Sequence, residues 1–246
     1  MLVLAHISDT HLDGGEDGAE RVRRVMGHIR ALEHPVDAIV HTGDVVDKGL
    51  PEEYRQAAEE LRADVPMLLC PGNHDARAPF REFLLGEEPA DGPIDGVHRV
   101  GRALVAVCDT SVPGEHWGRL AEATLDRLEG VLAAAPADTP VLIALHHHPA
   151  DLGIAYVDEI RQRDEHRLAA LIERYPQVAA VLCGHAHTSA VTSFAGRPLL
   201  VAPSVAPQLR MEWEPAPPAG DGAPPPMLAL HLLGGDGRLT THFRAV

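Results

Sequence analysis

Apolar residues along this chain follow two rhythms. Short runs rich in valine, isoleucine and leucine read as buried strands: Leu2–Ser8, Asp37–Val40, Pro66–Cys70, Ala103–Cys108, Pro140–Leu145 and Val178–Cys183. Between them lie stretches with helical spacing. Arg21 to Leu32 places Val22, Val25, Met26, Ile29 and Leu32 on one face. A second predicted helix starts at Pro51, a residue suited to a first turn, and runs to about Ala63 with Glu52 and Glu53 at its positive end. Ala78–Leu85, Leu120–Ala134 and Asp164–Tyr175 complete the set, while Asp13–Gly18 and Glu87–Gly96 read as loops. His98–Val100 should pair antiparallel with Ala103–Cys108 around Gly101-Arg102. After His187 only short strands follow, at Ala190–Phe194, Arg197–Ala202, Met227–Leu233 and Leu239–Phe243. The alternation predicts an α/β protein. We read residues 1–246 as one domain, with a Pro-rich loop at 214–226 and strands within 227–246 that are too few to fold alone and so complete an earlier sheet.

The polar residues gather where predicted strands stop. LAHISDTH ends at Asp9 and His11, DAIVHTGD at Asp44, MLLCPGNHD at Asn73, His74 and Asp75, and AAVLCGHAH at His185 and His187. In three of these four a glycine comes immediately before the first polar residue, allowing a tight turn and close backbone approach. Open α/β sheets hold ligands at strand carboxyl ends. Four such ends carrying Asp, Asn or His point to one shared metal centre, with Asp44 its expected bridge.

Composition narrows the class of partner. The 246 residues carry a formal charge of −15 and no Lys/Arg-rich run, which speaks against a nucleic-acid partner. Cys70, Cys108 and Cys183 fit no zinc spacing and read as buried thiols of a reducing compartment. No basic leader, long apolar N-terminal segment or membrane-length apolar window is present, so the expectation is a cytoplasmic protein without a membrane partner. A homodimer is compatible with all of this.

Asp9, His11, Asp44, Asn73, His146, His185 and His187 supply oxygen and nitrogen donors for two adjacent ions, with no thiolate. Such a set suits Mn, Fe, Zn or Co. A carboxylate bridge can hold two cations about 3.5–4 Å apart and generate a hydroxide nucleophile near neutral pH. His147 stands two residues before Pro149 and is an alternative to His146. Asp47 and Asp75 read as supports, Asp109 as a strand-end cap or site residue, His116 as a loop residue able to line the pocket, and His6 and His41 as packed.

In order, D-x-H (Asp9/His11), G-D-x-x-D (Gly43, Asp44, Asp47), G-N-H-D (Gly72–Asp75), histidines before a proline (His146–Pro149) and G-H-x-H (Gly184–His187) resemble the calcineurin-like metallophosphoesterases. LHHHP, LLCGHAH and APSVAPQ look closest to the class III cyclic-nucleotide phosphodiesterases within that superfamily. The motifs cover residues 9 to 187. The resemblance implies a four-layer α/β-β/α sandwich of two mixed sheets flanked by helices. It places one divalent or trivalent ion, manganese or iron first, on Asp9, His11, Asp44 and His187, and a second on Asp44, Asn73, His146 and His185. It favours His146 over His147, sets Asn73, His74 and His187 against the substrate, and makes His74 the catalytic group near the leaving oxygen.

The expected activity is hydrolysis of a small phosphodiester, 3′,5′-cAMP first, by attack of a metal-bound hydroxide. A broader small-metabolite phosphodiesterase or phosphomonoesterase is the alternative, ahead of a nuclease or a scaffold without metals. With no inserted cap domain evident, the pocket should be open.

Overall fold

The computed structural model describes residues 1–215 and 223–246. Its elements are β1 (Leu2–Ile7), α1 (Glu16–Arg30), β2 (Ala38–His41), α2 (Pro51–Glu60), β3 (Met67–Leu69) and α3 (Arg77–Phe80), the last continuing as one π-helical turn, Arg81–Leu85. There follow β4 (Gly96–Val100), β5 (Ala103–Val107), β6 (Gly118–Arg119), α4 (Glu122–Ala134), β7 (Val141–Ala144), α5 (Ala155–Glu159), β8 (Gln162–Arg163) and α6 (Glu165–Arg174). The chain closes with β9 (Val178–Cys183), β10 (Ala190–Phe194), β11 (Arg197–Val201), β12 (Met227–Leu233) and β13 (Leu239–Ala245).

Side-chain alternation along the strands builds four layers. In β1, Leu2 and Leu4 point into a core shared with Val105, Leu142, Ala144 and Leu182 of the opposite sheet. Ala5 and Ile7, on the other face, pack against Val22, Val25 and Met26 of α1 and Tyr54 and Ala57 of α2. β7 mirrors this: Leu142 and Ala144 face the sheet interface, and Val141 and Ile143 meet Leu128 and Leu132 of α4 and Leu168 and Ile172 of α6. Strands buried on both faces have to be apolar throughout, which is why they read as continuous runs. The result is helices, sheet, sheet, helices.

The first sheet runs β13-β12-β1-β2-β3 and the second β10-β11-β9-β7-β5-β4. β1, β2 and β3 are parallel, as are β5, β7, β9 and β11, so their carboxyl ends share one edge of the sandwich. β12 pairs antiparallel with β1, and β13 with β12, so the last strands extend the first sheet.

Three differences from the sequence pattern are local. Helix α1 begins at Glu16, inside the stretch read as a loop, because its first turn is polar and shows no apolar period; Glu16 and Asp17 suit the positive helix end instead. The parallel pair β6–β8 and helix α5 are too short to have a readable period. The Ala78–Leu85 helix is a single α turn followed by the π turn, ended by Gly86 at φ 65°. Of the Pro-rich loop, residues 216–222 lie outside the described residues. No helix among the described residues is long and apolar enough to cross a membrane.

Candidate metal centre

The strand ends interlock at this edge. Asp9 N–H donates to the Gly43 carbonyl at 2.9 Å, His11 N–H to that of Asp44 at 3.1 Å, and Gly184 N–H to that of His146 at 3.0 Å. Two glycines make the approach possible. A Cβ on Gly72 would lie 2.2 Å from Asp44 Oδ1, and one on Gly184 would lie 1.8 Å from Ser8 Oγ. No side chain fits at either place.

Strain collects at the same edge. Among the described residues seven non-glycines have left-handed φ, and five are Asp9 (52°), His11 (44°), Asp44 (51°), His185 (68°) and His187 (47°). Such backbone costs about 1–3 kcal/mol per residue and persists only where the surroundings enforce it. Here the strained residues are the ones carrying ionisable or donor side chains.

The side chains converge on two adjoining points. At the first, His11 Nε2 and His187 Nε2 are 3.0 Å apart, His187 Nε2 is 3.5 Å from Asp9 Oδ1, and His11 Nε2 is 3.5 Å from Asp44 Oδ2. At the second, His146 Nε2 lies 3.4 Å from Asp44 Oδ2, 3.2 Å from Asn73 Oδ1 and 3.2 Å from His185 Nδ1. Asp44 Oδ2 is common to both. Donors about 2.1 Å from one ion stand about 3.0 Å apart at right angles and about 4.2 Å apart across it. The Asp9, His11, Asp44 and His187 donors all lie within 4.8 Å of one another.

The donor chemistry independently asks for a cation. His146 Nδ1 donates to the Thr42 carbonyl at 2.6 Å and His187 Nδ1 to that of Pro207 at 3.3 Å. A neutral imidazole so anchored has a bare Nε2. Bare nitrogen against the Asp44 carboxylate and the Asn73 carbonyl repels unless positive charge lies between them. In the protein alone a proton serves: burial works against it, but Asp44 outweighs burial and raises His146 to about 9. Burial would also raise Asp44, yet His146, His11 and His74 hold it well below the usual carboxylate range. His185, buried first and then crowded by His147 and His146, is pushed well down and stays neutral, the form that ligates. Its Nε2 is buried with no hydrogen-bond partner among the described residues. These residues fit a pair of metal ions.

Neighbouring candidates have other partners. His147 stands with His146 and His185 in a group of close donors. However, its Nε2 donates to the His116 carbonyl at 3.2 Å and its Nδ1 accepts from Thr110 Oγ1 at 2.8 Å, so neither nitrogen is free. Asp75 accepts from Gly72 N, Val45 N and the Tyr54 hydroxyl at 2.9–3.2 Å, clamping the loop behind Asp44. Burial and then Asp44 push it up to about 7. Asp109 lies with Arg77 Nε at 2.8 Å and the Ile94 and Ser111 amides, as a cap on the loop after β5. His6 and His41 are fully buried, His6 against Thr42 and His231, His41 against Thr10.

His74 follows Asn73 but faces differently. Its amide donates to Asp44 Oδ1 at 2.9 Å, while its Nδ1–H donates to the Asp47 carbonyl at 2.7 Å. Its ring lines a cleft of about 310 Å³ with His11, Asp44, Asn73, His185 and His187. Tyr156, Val157, Ile160 and Leu209 complete its lining as an apolar wall, together with His116. The sequence reading missed that wall. Tyr156, one of three tyrosines and a few residues beyond His146–Pro149, was its only signal.

Fold and site together define a dinuclear-type phosphoesterase scaffold, and sequence comparison agrees. The chain belongs to the calcineurin-like phosphoesterase family, whose model matches residues 2–189. It is 39% identical over 216 residues to a probable cyclic nucleotide phosphodiesterase of Rhodococcus erythropolis, covering 82% of this chain and 70% of the relative. A cAMP/cGMP dual specificity phosphodiesterase of Mycobacterium tuberculosis is 37% identical over 81% of this chain and 66% of its own length. A glycerophosphodiester phosphodiesterase of Enterobacter lignolyticus is 34% identical over 95% of this chain and 88% of its own. Among solved structures, a dimetal phosphatase from Danio rerio shares the fold with a TM-score of 0.75 at 16% identity, covering 99% of this chain and 96% of that one.

Proposed function

We propose that this protein is a metal-dependent phosphodiesterase acting on cyclic nucleotides, 3′,5′-cAMP first. The observation that carries it is the shared Asp44 Oδ2, 3.5 Å from His11 Nε2 and 3.4 Å from His146 Nε2, in the lining of an open cleft. We assign one ion to Asp9, His11, Asp44 and His187 and the other to Asp44, Asn73, His146 and His185. The mixed nitrogen and oxygen donors suit manganese or iron, with zinc and cobalt also accommodated. When bound, such ions acidify water and neutralise charge on phosphoryl oxygens.

The chain's own groups do the rest. Asn73 and His187, donors that also line the cleft, would border the phosphate there. As water's oxygen bonds to phosphorus, the ester P–O bond breaks and negative charge grows on the departing ribose oxygen. As the imidazolium, with Nδ1–H held by the Asp47 carbonyl, His74 would present Nε2–H to that oxygen and give it the proton. The two relatives named for cyclic nucleotides support this substrate, and the acidic chain fits a small-molecule ligand better than nucleic acid. We place the reaction in the cytoplasm.

A second reading is a small-metabolite phosphodiesterase or phosphomonoesterase, favoured by the 95% coverage in the match to the glycerophosphodiester enzyme. Turnover of Mn²⁺-loaded protein on cAMP, cGMP, a bis-nitrophenyl phosphate, its monoester and a glycerophosphodiester separates the two. We expect cleavage of the aryl diester, conversion of cAMP to the 5′- or 3′-monophosphate, and poor turnover of the monoester. Faster monoester turnover overturns the diesterase reading. Failure on cAMP with turnover of the glycerophosphodiester selects the second substrate class.

A further inference from the structure

The cleft above the candidate metal centre has two unlike sets of lining residues. One is the donor side chains His11, Asp44, Asn73, His185 and His187 with His74 beside them. The other, formed by Tyr156, Ile160 and Leu209 with His116, carries no acidic or basic residue apart from that imidazole among the described residues. Tyr156 is 68% exposed and Leu209 38% exposed, although Val157 between Tyr156 and the core is buried. A large aromatic face left open to water at the rim of a polar site needs a reason. We propose that this wall is a nucleobase subsite, with the Tyr156 ring stacking on the purine of the substrate and Leu209 and Ile160 covering its other contacts. The proposal rests on the reading of the donor set as the phosphate site.

The wall is tied to the segments that carry the donors. Leu209 N–H donates to the His187 carbonyl at 2.7 Å, and His187 Nδ1 to the Pro207 carbonyl. Helix α5 follows the His146–Pro149 stretch after a short loop, residues 150–154. Its start is fixed by Asp158, whose carboxylate accepts from the Leu152, Gly153 and Ile154 amides at 2.8–3.0 Å. Beyond the helix, Gln162 N–H donates to the His148 carbonyl at 3.1 Å. Hydrogen bonds thus tie the segments of the aromatic wall to those that carry the donors. A flat, uncharged heterocycle suits an aromatic face flanked by aliphatic side chains. A cationic headgroup finds no carboxylate on that wall among the described residues.

Binding of AMP and of ribose 5-phosphate to Mn²⁺-loaded protein, measured by calorimetry beside inorganic phosphate, tests this. Ribose 5-phosphate keeps the sugar and phosphate of AMP and has an anomeric hydroxyl in place of adenine. AMP should bind about 5- to 150-fold more tightly, the range that stacking of one base is worth. Tyr156→Phe should keep most of that advantage and Tyr156→Ala should remove most of it, with phosphate affinity unchanged in both. Because Tyr156 is mostly exposed, neither change should disturb folding. Equal binding of AMP and ribose 5-phosphate by the unsubstituted protein, or an advantage that survives Tyr156→Ala, overturns the subsite while leaving the phosphodiesterase reading intact. Absence of phosphate binding to metal-loaded protein overturns both.

Discussion

Replacing His74 by alanine separates catalysis from metal binding. The contact that ties this position to the bridging carboxylate is its amide, 2.9 Å from Asp44 Oδ1, and alanine retains it. The side chain contributes one hydrogen bond, Nδ1–H to the Asp47 carbonyl at 2.7 Å, from a ring about one-third exposed. Losing a bond of this kind costs roughly 0.5–1.5 kcal/mol, toward the lower end for an exposed group. His74→Ala should therefore fold and keep both ions. Its effect on turnover depends on the leaving group. A departing ribose alkoxide needs a proton, and general-acid assistance is worth about 10²–10⁴-fold, or about 3–5 kcal/mol of barrier. A nitrophenolate needs little. The assay compares kcat on cAMP and on bis-nitrophenyl phosphate at matched metal content. We expect the first to fall by about 10² or more and the second by less than about tenfold. Equal losses refute the leaving-group role, and lost metal makes His74 part of the scaffold.

The remaining substitutions probe how the site is built. Gly72→Ala places a methyl 2.2 Å from Asp44 Oδ1 and 2.4 Å from its amide. It should cost at least about 1–3 kcal/mol in urea melts and lower metal content. Gly130→Ala, in α4 with nothing within 4 Å of its added carbon, should instead stabilise by about 0.4–1 kcal/mol. His146→Ala should strip an ion, whereas His147→Ala should keep both, because its nitrogens are already engaged by Thr110 and the His116 carbonyl. Burial lowers His231 from 6.5 to about 4 in the folded protein, so between these values the unfolded chain takes up a proton the folded one refuses. The stability from this neutral ring is full above pH 6.5 and declines toward pH 4, by about 3 kcal/mol. In His231→Gln the unfolding free energy should vary with pH over this window by about that much less, and an unaltered slope would refute the assignment.

How much of this was legible in the sequence depends on length scale. Runs such as Ala38–Val40 and Val141–Ala144 announced their strands because both faces are buried. The polar residues after them marked the edge where the site lies. The left-handed backbone at Asp9, His11, Asp44, His185 and His187 was invisible, because its partners lie far along the chain: Asp9 and His11 donate to the Gly43 and Asp44 carbonyls, and the His185 amide donates to the Asp9 carboxylate. The choice between His146 and His147 was open for a similar reason. Both directly follow the same strand, and only Thr110, Thr42 and His116, brought in from elsewhere, give the two rings different partners. The apolar wall escaped because Tyr156 and Leu209 belong to segments too short and irregular to show a period.

The central claim is that Asp44 joins two ions into one hydrolytic centre, and metal stoichiometry tests it most directly. Metal should be counted per chain in the unsubstituted protein, Asp9→Ala and Asp44→Ala, after equal Mn²⁺ loading and desalting, beside diester turnover. Asp44 Oδ2 faces both His11 and His146, so its loss removes a donor from both points, whereas Asp9 stands 3.5 Å from His187 Nε2 at the first and otherwise accepts from the His185 amide, which is not a donor to an ion. We predict two ions in the unsubstituted protein, about one in Asp9→Ala, and well below two with no turnover in Asp44→Ala. Two tightly held ions in Asp44→Ala would contradict the account.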